Sequence, residues 1–97
     1  MTQFVVRPVA ETDLEEISDW YDQKRAGLGQ DVLDDISFCF DEIKTNPKRY
    51  PIVHADIREG IVSQFPYCVY YRTLKTRTVI IGVIHTARDP AVWQSRR

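Results

Sequence analysis

The chain opens on a short β-prone run. Gln3-Phe4-Val5-Val6-Arg7 ends at Pro8, which has no N–H for a ladder, so a first strand is expected over residues 3–7. A helical period replaces it. Leu14, Ile17, Trp20 and Tyr21 fall at helical spacing and mark a buried stripe, while Thr12-Asp13-Leu14-Glu15 has the form of a capping box with Thr12 as N-cap. Ala26-Gly27-Leu28-Gly29 breaks the pattern. A second helix then carries Val32, Leu33, Ile36, Phe40 and Ile43 on one face, with Asp31, Asp34, Asp35, Asp41 and Glu42 mostly on the other. Asn46-Pro47 stops it, because proline disfavours the α region for the residue before it. The short loop between the helices makes them an antiparallel hairpin.

Residues 47–56, with Pro47 and Pro51, read as a connection. From Ile57 the period becomes that of strands: residues 57–64, 67–74 and 78–85, separated by Phe65-Pro66 and by Lys75-Thr76-Arg77. Linkers of that size make the three strands an antiparallel meander. Residues 79–84 are apolar on both faces, as a central strand requires. Tyr67, Val69 and Tyr71 alternate with Cys68, Tyr70 and Arg72, so one set goes under the helices and the other faces solvent or a partner. The expected fold is α+β in the order β-α-α-β-β-β, a helical hairpin packed on one face of a small antiparallel sheet. Its 97 residues suit one domain, over residues 1–97.

Composition narrows the class. With 43% hydrophobic and 28% charged residues the chain is that of an ordinary globular protein. The apolar run at residues 79–84 is about a third of a membrane span and no signal peptide is visible, so a cytoplasmic protein with no membrane contact is expected. Cys39 and Cys68 lie in no CxxC and near no His at ligand spacing, so neither a metal nor a cofactor is expected; Cys39, between Phe38 and Phe40, reads as a small core residue. The net charge of −1 hides an asymmetry. Residues 1–56 hold twelve Asp/Glu against six Lys/Arg, and residues 57–97 hold seven Lys/Arg against two Asp/Glu. The basic half could meet nucleic acid or an acidic protein segment.

The element order, carried by specific residues, resembles the RelE/ParE toxin superfamily, and most closely its ParE-like, plasmid-stabilisation branch. The matching stretches are Ala10-Glu11-Thr12-Asp13-Leu14-Glu15-Glu16-Ile17, Asn46-Pro47 with Tyr50-Pro51, Arg58, Phe65-Pro66-Tyr67 with Tyr70-Tyr71-Arg72, and His85 with Arg88-Asp89-Pro90 and Trp93. The resemblance implies a toxin of a type II toxin–antitoxin system, held in a hetero-oligomer by an antitoxin from an adjacent gene. It offers two targets: RelE-like members cleave mRNA at the ribosome, and characterised ParE-like members poison DNA gyrase.

Metal-free RNA cleavage needs a base, cations around the phosphate and an acid for the leaving oxygen. The candidates are His85, Arg72 and Arg88, with His85 as the acid/base group. Two positions depart from the nuclease pattern. Cys68 stands where RelE-like members often place an arginine, and Trp93, which has no acidic hydroxyl, stands where RelE places a tyrosine. A ParE-like binder of a macromolecular target such as DNA gyrase is therefore the leading expectation. A ribosome-dependent endonuclease is the alternative, and a toxin fold that only binds antitoxin the third. Arg58, Tyr70, Arg72, Arg88 and Trp93 are the candidate binding residues, with an exposed Tyr70/Arg72 face as the interesting possibility. Structural readings stand beside these. His85 would hydrogen-bond the elbow after its strand, Arg88 and Asp89 would pair, and Trp20 and Tyr21 would be core. Trp93 would either pin the tail to the sheet or anchor a partner, and His85, Arg88, Trp93, Arg96 and Arg97 would form one patch.

Overall fold

The computed structural model describes residues 3–97. Its elements are β1 (Gln3–Val6), α1 (Pro8–Lys24), α2 (Leu28–Thr45), β2 (Ile52–His54), β3 (Ile57–Ile61), β4 (Tyr67–Thr73), β5 (Arg77–His85) and a short α3 (Ala91–Gln94). The five strands form one sheet in the order β1-β5-β4-β3-β2. β3, β4 and β5 are the expected antiparallel meander, and β1 returns parallel to β5 on the far side. Two elements were not expected. β2 lies within the proline-flanked connection and pairs with β3 through a tight turn in which Ala55 takes φ 51°, and α3 follows the elbow after β5.

The first helix starts earlier than the Thr12 capping box suggests. Pro8 opens it with a preset φ, as proline favours the first helical turn. Thr12 lies inside the helix, its hydroxyl donating back to Pro8 O at 3.1 Å. α2 takes its cap from the preceding helix, since the Gly29 amide donates to Asp22 Oδ1 at 2.8 Å. Gly27, at φ +88°, turns the chain between the helices, and a Cβ on Gly29 would lie 2.5 Å from Ser18 O. These glycines let the two helices cross closely.

Ala10, Ile17, Val32, Ile36, Cys39 and Ile43 of the helices pack on Tyr67, Val69, Tyr71, Ile80 and Val83 of the sheet. The register between β4 and β5 shifts at Tyr70/Tyr71, which changes the phase of β5. Val79, Ile81 and Ile84 therefore share the opposite face with Cys68, Tyr70 and Ile57, and Trp93 covers them. That second face is a core of its own, not the exposed surface the alternation suggests. β5 is buried on seven of its nine residues as a result. No helix among the described residues is long and apolar enough to cross a membrane.

Candidate functional site

β1 ends where proline begins α1, and beyond Ile80 the outer edge of β5 has no strand partner among the described residues. Its backbone groups find side chains instead, as buried amides and carbonyls must. The Val83 amide donates to Asp13 Oδ2 at 3.0 Å, and Arg96 Nη1 donates to Ile81 O at 3.3 Å. Arg96 and Asp13 also pair through both nitrogens, at 2.6 and 3.2 Å, with side chains only 19% and 13% exposed. Such two-point pairs are strong and directional. Arg7 Nη1 adds a bond to Arg96 O at 2.6 Å. The C-terminal segment is thus fastened to α1 and β5 by side chains that stand in for a missing strand.

Beside this fastening lies an open cavity of about 300 Å³, walled in part by Glu16, Trp20, Tyr67, His85 and Arg88. His85 pairs with Tyr67 across the ladder, and their rings meet edge to face at 5.4 Å. Its Nδ1 accepts the Ala87 amide at 3.0 Å, so the imidazole shapes the elbow, the structural role foreseen for it. The expected Arg88–Asp89 pair is not among the ion pairs of the described residues. Asp89 Oδ1 accepts the Ala91 amide at 2.9 Å, starting α3, and Arg88 is left exposed on the cavity rim. Trp20 corrects the core assignment, being 52% exposed. At about 100° per residue it sits roughly 90° from the stripe of Ala10, Leu14, Ile17 and Tyr21. Lys24 Nζ lies 4.6 Å from its ring centre. Tyr21 does pack against the core.

The other face of the sheet holds the remaining candidates. Tyr70 is 5% exposed and stacks on Trp93 at 4.2 Å and 9°, which overturns the exposed Tyr70/Arg72 face. Its hydroxyl donates to Glu59 Oε2 at 2.8 Å, and burial together with that bond pushes the phenol well above its ordinary range. Arg72 grips Asp56 through Nε and Nη2 at 3.1 and 2.9 Å, and Arg97 Nε reaches the same carboxylate at 2.6 Å. The hydrogen bonds from Arg72 and then Arg97 lower the Asp56 carboxyl to about 2. Arg58 Nη1 donates to Tyr50 O at 2.7 Å and Lys48 O at 3.3 Å, tying the long connection to the sheet.

The sequence candidates therefore divide between two places. His85, Arg88 and Arg96 share the cavity at one end of β5, whereas Trp93, Arg97 and Arg72 sit on the opposite face of the sheet, so no single patch forms. Arg72 pairs with Val79 and His85 with Tyr67. Five steps along β4 separate them, roughly 16 Å at about 3.3 Å per residue. Arg72, His85 and Arg88 do not surround one phosphate. Three side chains of this region were not singled out from the sequence: Asp13, Asp56 and Glu59. Only their partners, distant in the chain, give them meaning. Among the described residues no cluster of three or more His, Cys, Asp or Glu could hold a metal ion.

A sequence model of the family described as ParE toxin of type II toxin-antitoxin system, parDE, matches residues 4–90, from β1 through the elbow. Among solved structures, one described as the chromosomal ParDE TA system from P. aeruginosa superposes with a TM-score of 0.80. Its identity is 16%, covering 88% of this chain and 96% of that one, a likeness of fold. No curated protein matches the chain significantly. With the family match running over nearly its whole length, the chain belongs to the ParE toxin family of type II toxin–antitoxin systems.

Proposed function

We propose that this toxin acts in the cytoplasm by binding a macromolecular target, DNA gyrase foremost, and is neutralised by an antitoxin encoded beside it. The observation that carries this reading is the engagement and separation of the groups a nuclease would use. Arg72 is held by Asp56, His85 Nδ1 by the Ala87 amide, and the two residues lie at opposite ends of their strands. Metal-free cleavage needs its base, acid and cations within hydrogen-bond reach of one phosphate. Contact with a target needs only a fixed surface, and the cavity end of β5 offers one. Arg88 there is an exposed cation beside a half-exposed Trp20, and arginine and tryptophan are the side chains most enriched among interface anchors. Of the other binding candidates, Arg58, Tyr70, Arg72 and Trp93 serve as the frame that holds the sheet and tail.

The test is a purified system. The chain titrated into DNA gyrase with supercoiled plasmid should inhibit supercoiling or trap cleaved DNA, and Arg88→Ala should weaken that effect tenfold or more. Gyrase left untouched by excess toxin, together with mapped cuts in ribosome-bound mRNA, would establish the endonuclease reading instead.

A further inference from the structure

The charge asymmetry of the sequence offers the basic half to nucleic acid or an acidic segment, but the structure already engages four of its seven cations. Arg58 is spent on backbone carbonyls, Arg72 and Arg97 on Asp56, and Arg96 on Asp13. The acidic half is not compensated in the same way. On the outer side of α2, the ion partner of Asp31 among the described residues is Arg25 at 3.8 Å, both side chains being more than half exposed. Asp34 accepts the Gln30 amide nitrogen at 2.8 Å and has no ion partner among the described residues.

A groove of mixed lining, with three apolar side chains, lies beside these two carboxylates. It is an open cleft of about 580 Å³ between α2 and the turn at residues 62–66, with Leu28, Phe38 and Phe65 among its walls and Asp31, Asp34 and a single cation, Arg25, at its edge. Phe38 is 61% exposed. It sits roughly 130° off the Val32–Ile36–Cys39–Ile43 stripe at about 100° per residue, so it points away from the core. The far wall is held rigid by Asp35, which accepts the Ser63 hydroxyl at 2.9 Å and the Gln64 and Phe65 amides at 2.8 and 3.1 Å. The ring of Phe65 is in turn set edge to face on Tyr21 at 5.3 Å. An exposed aromatic in a preformed cleft, with three carboxylates and one arginine around it, is complementary to one kind of segment.

We infer that this groove docks a basic amphipathic segment of the antitoxin, whose apolar side chain packs on Phe38, Leu28 and Phe65 while Lys or Arg side chains face Asp31 and Asp34. The inference rests on the toxin–antitoxin reading above and adds the site and the charge of the segment. The seat is separate from the Trp20–Arg88 end of the sheet, so a variant can lose antitoxin binding and keep its action on the target.

The experiment measures affinity for the purified product of the adjacent reading frame, comparing the wild type with Phe38→Ala and with the double variant Asp31→Lys/Asp34→Lys. All three side chains are exposed, so both variants should unfold within a few degrees of the wild type, and they disturb the groove by different means. Phe38→Ala should weaken binding about 30-fold, as losing a central aromatic anchor does. The charge-reversed protein should bind at least tenfold more weakly and lose the salt sensitivity of the wild-type complex, with the larger effect on the association rate. Both variants should stay toxic in cells that also make the adjacent protein. Wild-type affinity in both folded variants would overturn the groove assignment while leaving the toxin–antitoxin reading intact. A wild-type protein that forms no complex with that neighbour would overturn the reading, and the groove with it.

Discussion

Replacing Trp93 by alanine tests whether the C-terminal segment is part of the fold or a free arm. Trp93 is 6% exposed, stacked on Tyr70 at 4.2 Å and edge-on to His54 at 6.1 Å, over Ile57, Val79, Ile81 and Ile84. Aromatic side chains bury about 150–250 Å². Truncation here forfeits on the order of 150 Å² beyond what the alanine methyl keeps, or about 4 kcal/mol at ~25 cal/mol per Å². The lost ring stack adds about 1 kcal/mol. Partial collapse of the four-residue α3 into the gap returns some of this. A net loss of about 3 kcal/mol follows, at the lower end of the range for emptied aromatic sites. For a chain of this size that lowers Tm by about 12–24 °C. Thermal unfolding by circular dichroism measures it, and fluorescence adds a check. Trp20 is half exposed, so the emission of Trp93→Ala should move to longer wavelength relative to the wild type. A variant that melts within about 3 °C of the wild type yet fails to act on its target or bind antitoxin would refute the pin and make Trp93 an anchor for a partner.

The remaining predictions address the fastening, the pH limits, the helix crossing and the target surface. Asp13→Asn leaves Arg96 buried without its counter-charge and should cost about 3 kcal/mol by urea unfolding, whereas an unchanged midpoint would deny the side-chain substitute for a strand. Asp56 has a folded value near 2 against 3.8 unfolded, so its stabilisation is complete above pH ~4–5 and fades as pH falls through 2; Asp56→Asn should flatten the acid limb of a stability–pH profile. Burial raises the phenols of Tyr67, Tyr70 and Tyr71 above 10 and the Cys39 thiol to about 11, so the unfolded chain ionises first and stability should fall as pH rises beyond about 9–10. Phenolate absorbance should then appear together with unfolding; phenols that titrate freely in the folded protein would contradict this. Gly29→Ala pushes a methyl to 2.5 Å from Ser18 O and should destabilise by about 1–3 kcal/mol, a loss absent if the helices sit further apart. Arg88→Ala should lose activity on the target with Tm unchanged, because the side chain is exposed.

Much of the fold was legible because its signals are local. The period-2 runs of the meander, the glycine break at residues 26–29 and the Pro47 stop each act through neighbouring residues, and each appears where the pattern puts it. The first helix start was misread because Thr12 and Glu15 mimic a cap, while Pro8, four residues earlier, already supplies the φ that opens the turn. Trp20 and Phe38 were read or passed over by hydrophobicity, although both stand off their stripes. The covering of the second sheet face was out of reach, since alternation along β4 tells which residues share a side and says nothing of what later folds over it. The same holds for the site. Arg72, His85 and Arg88 are visible as chemistry-bearing residue types, but Asp56 and Asp13, which decide what the arginines are free to do, lie 16 and 83 residues from their partners Arg72 and Arg96.

The central claim is that this ParE-family chain acts by engaging DNA gyrase and not by cutting message. Pulse labelling after induced expression in growing cells tests it most directly, with thymidine and methionine incorporation followed side by side over the first minutes. A gyrase poison halts DNA synthesis while translation continues, so thymidine uptake should fall first and Arg88→Ala should delay the fall. Methionine uptake collapsing first, with transcripts cut within their coding regions, would contradict the account.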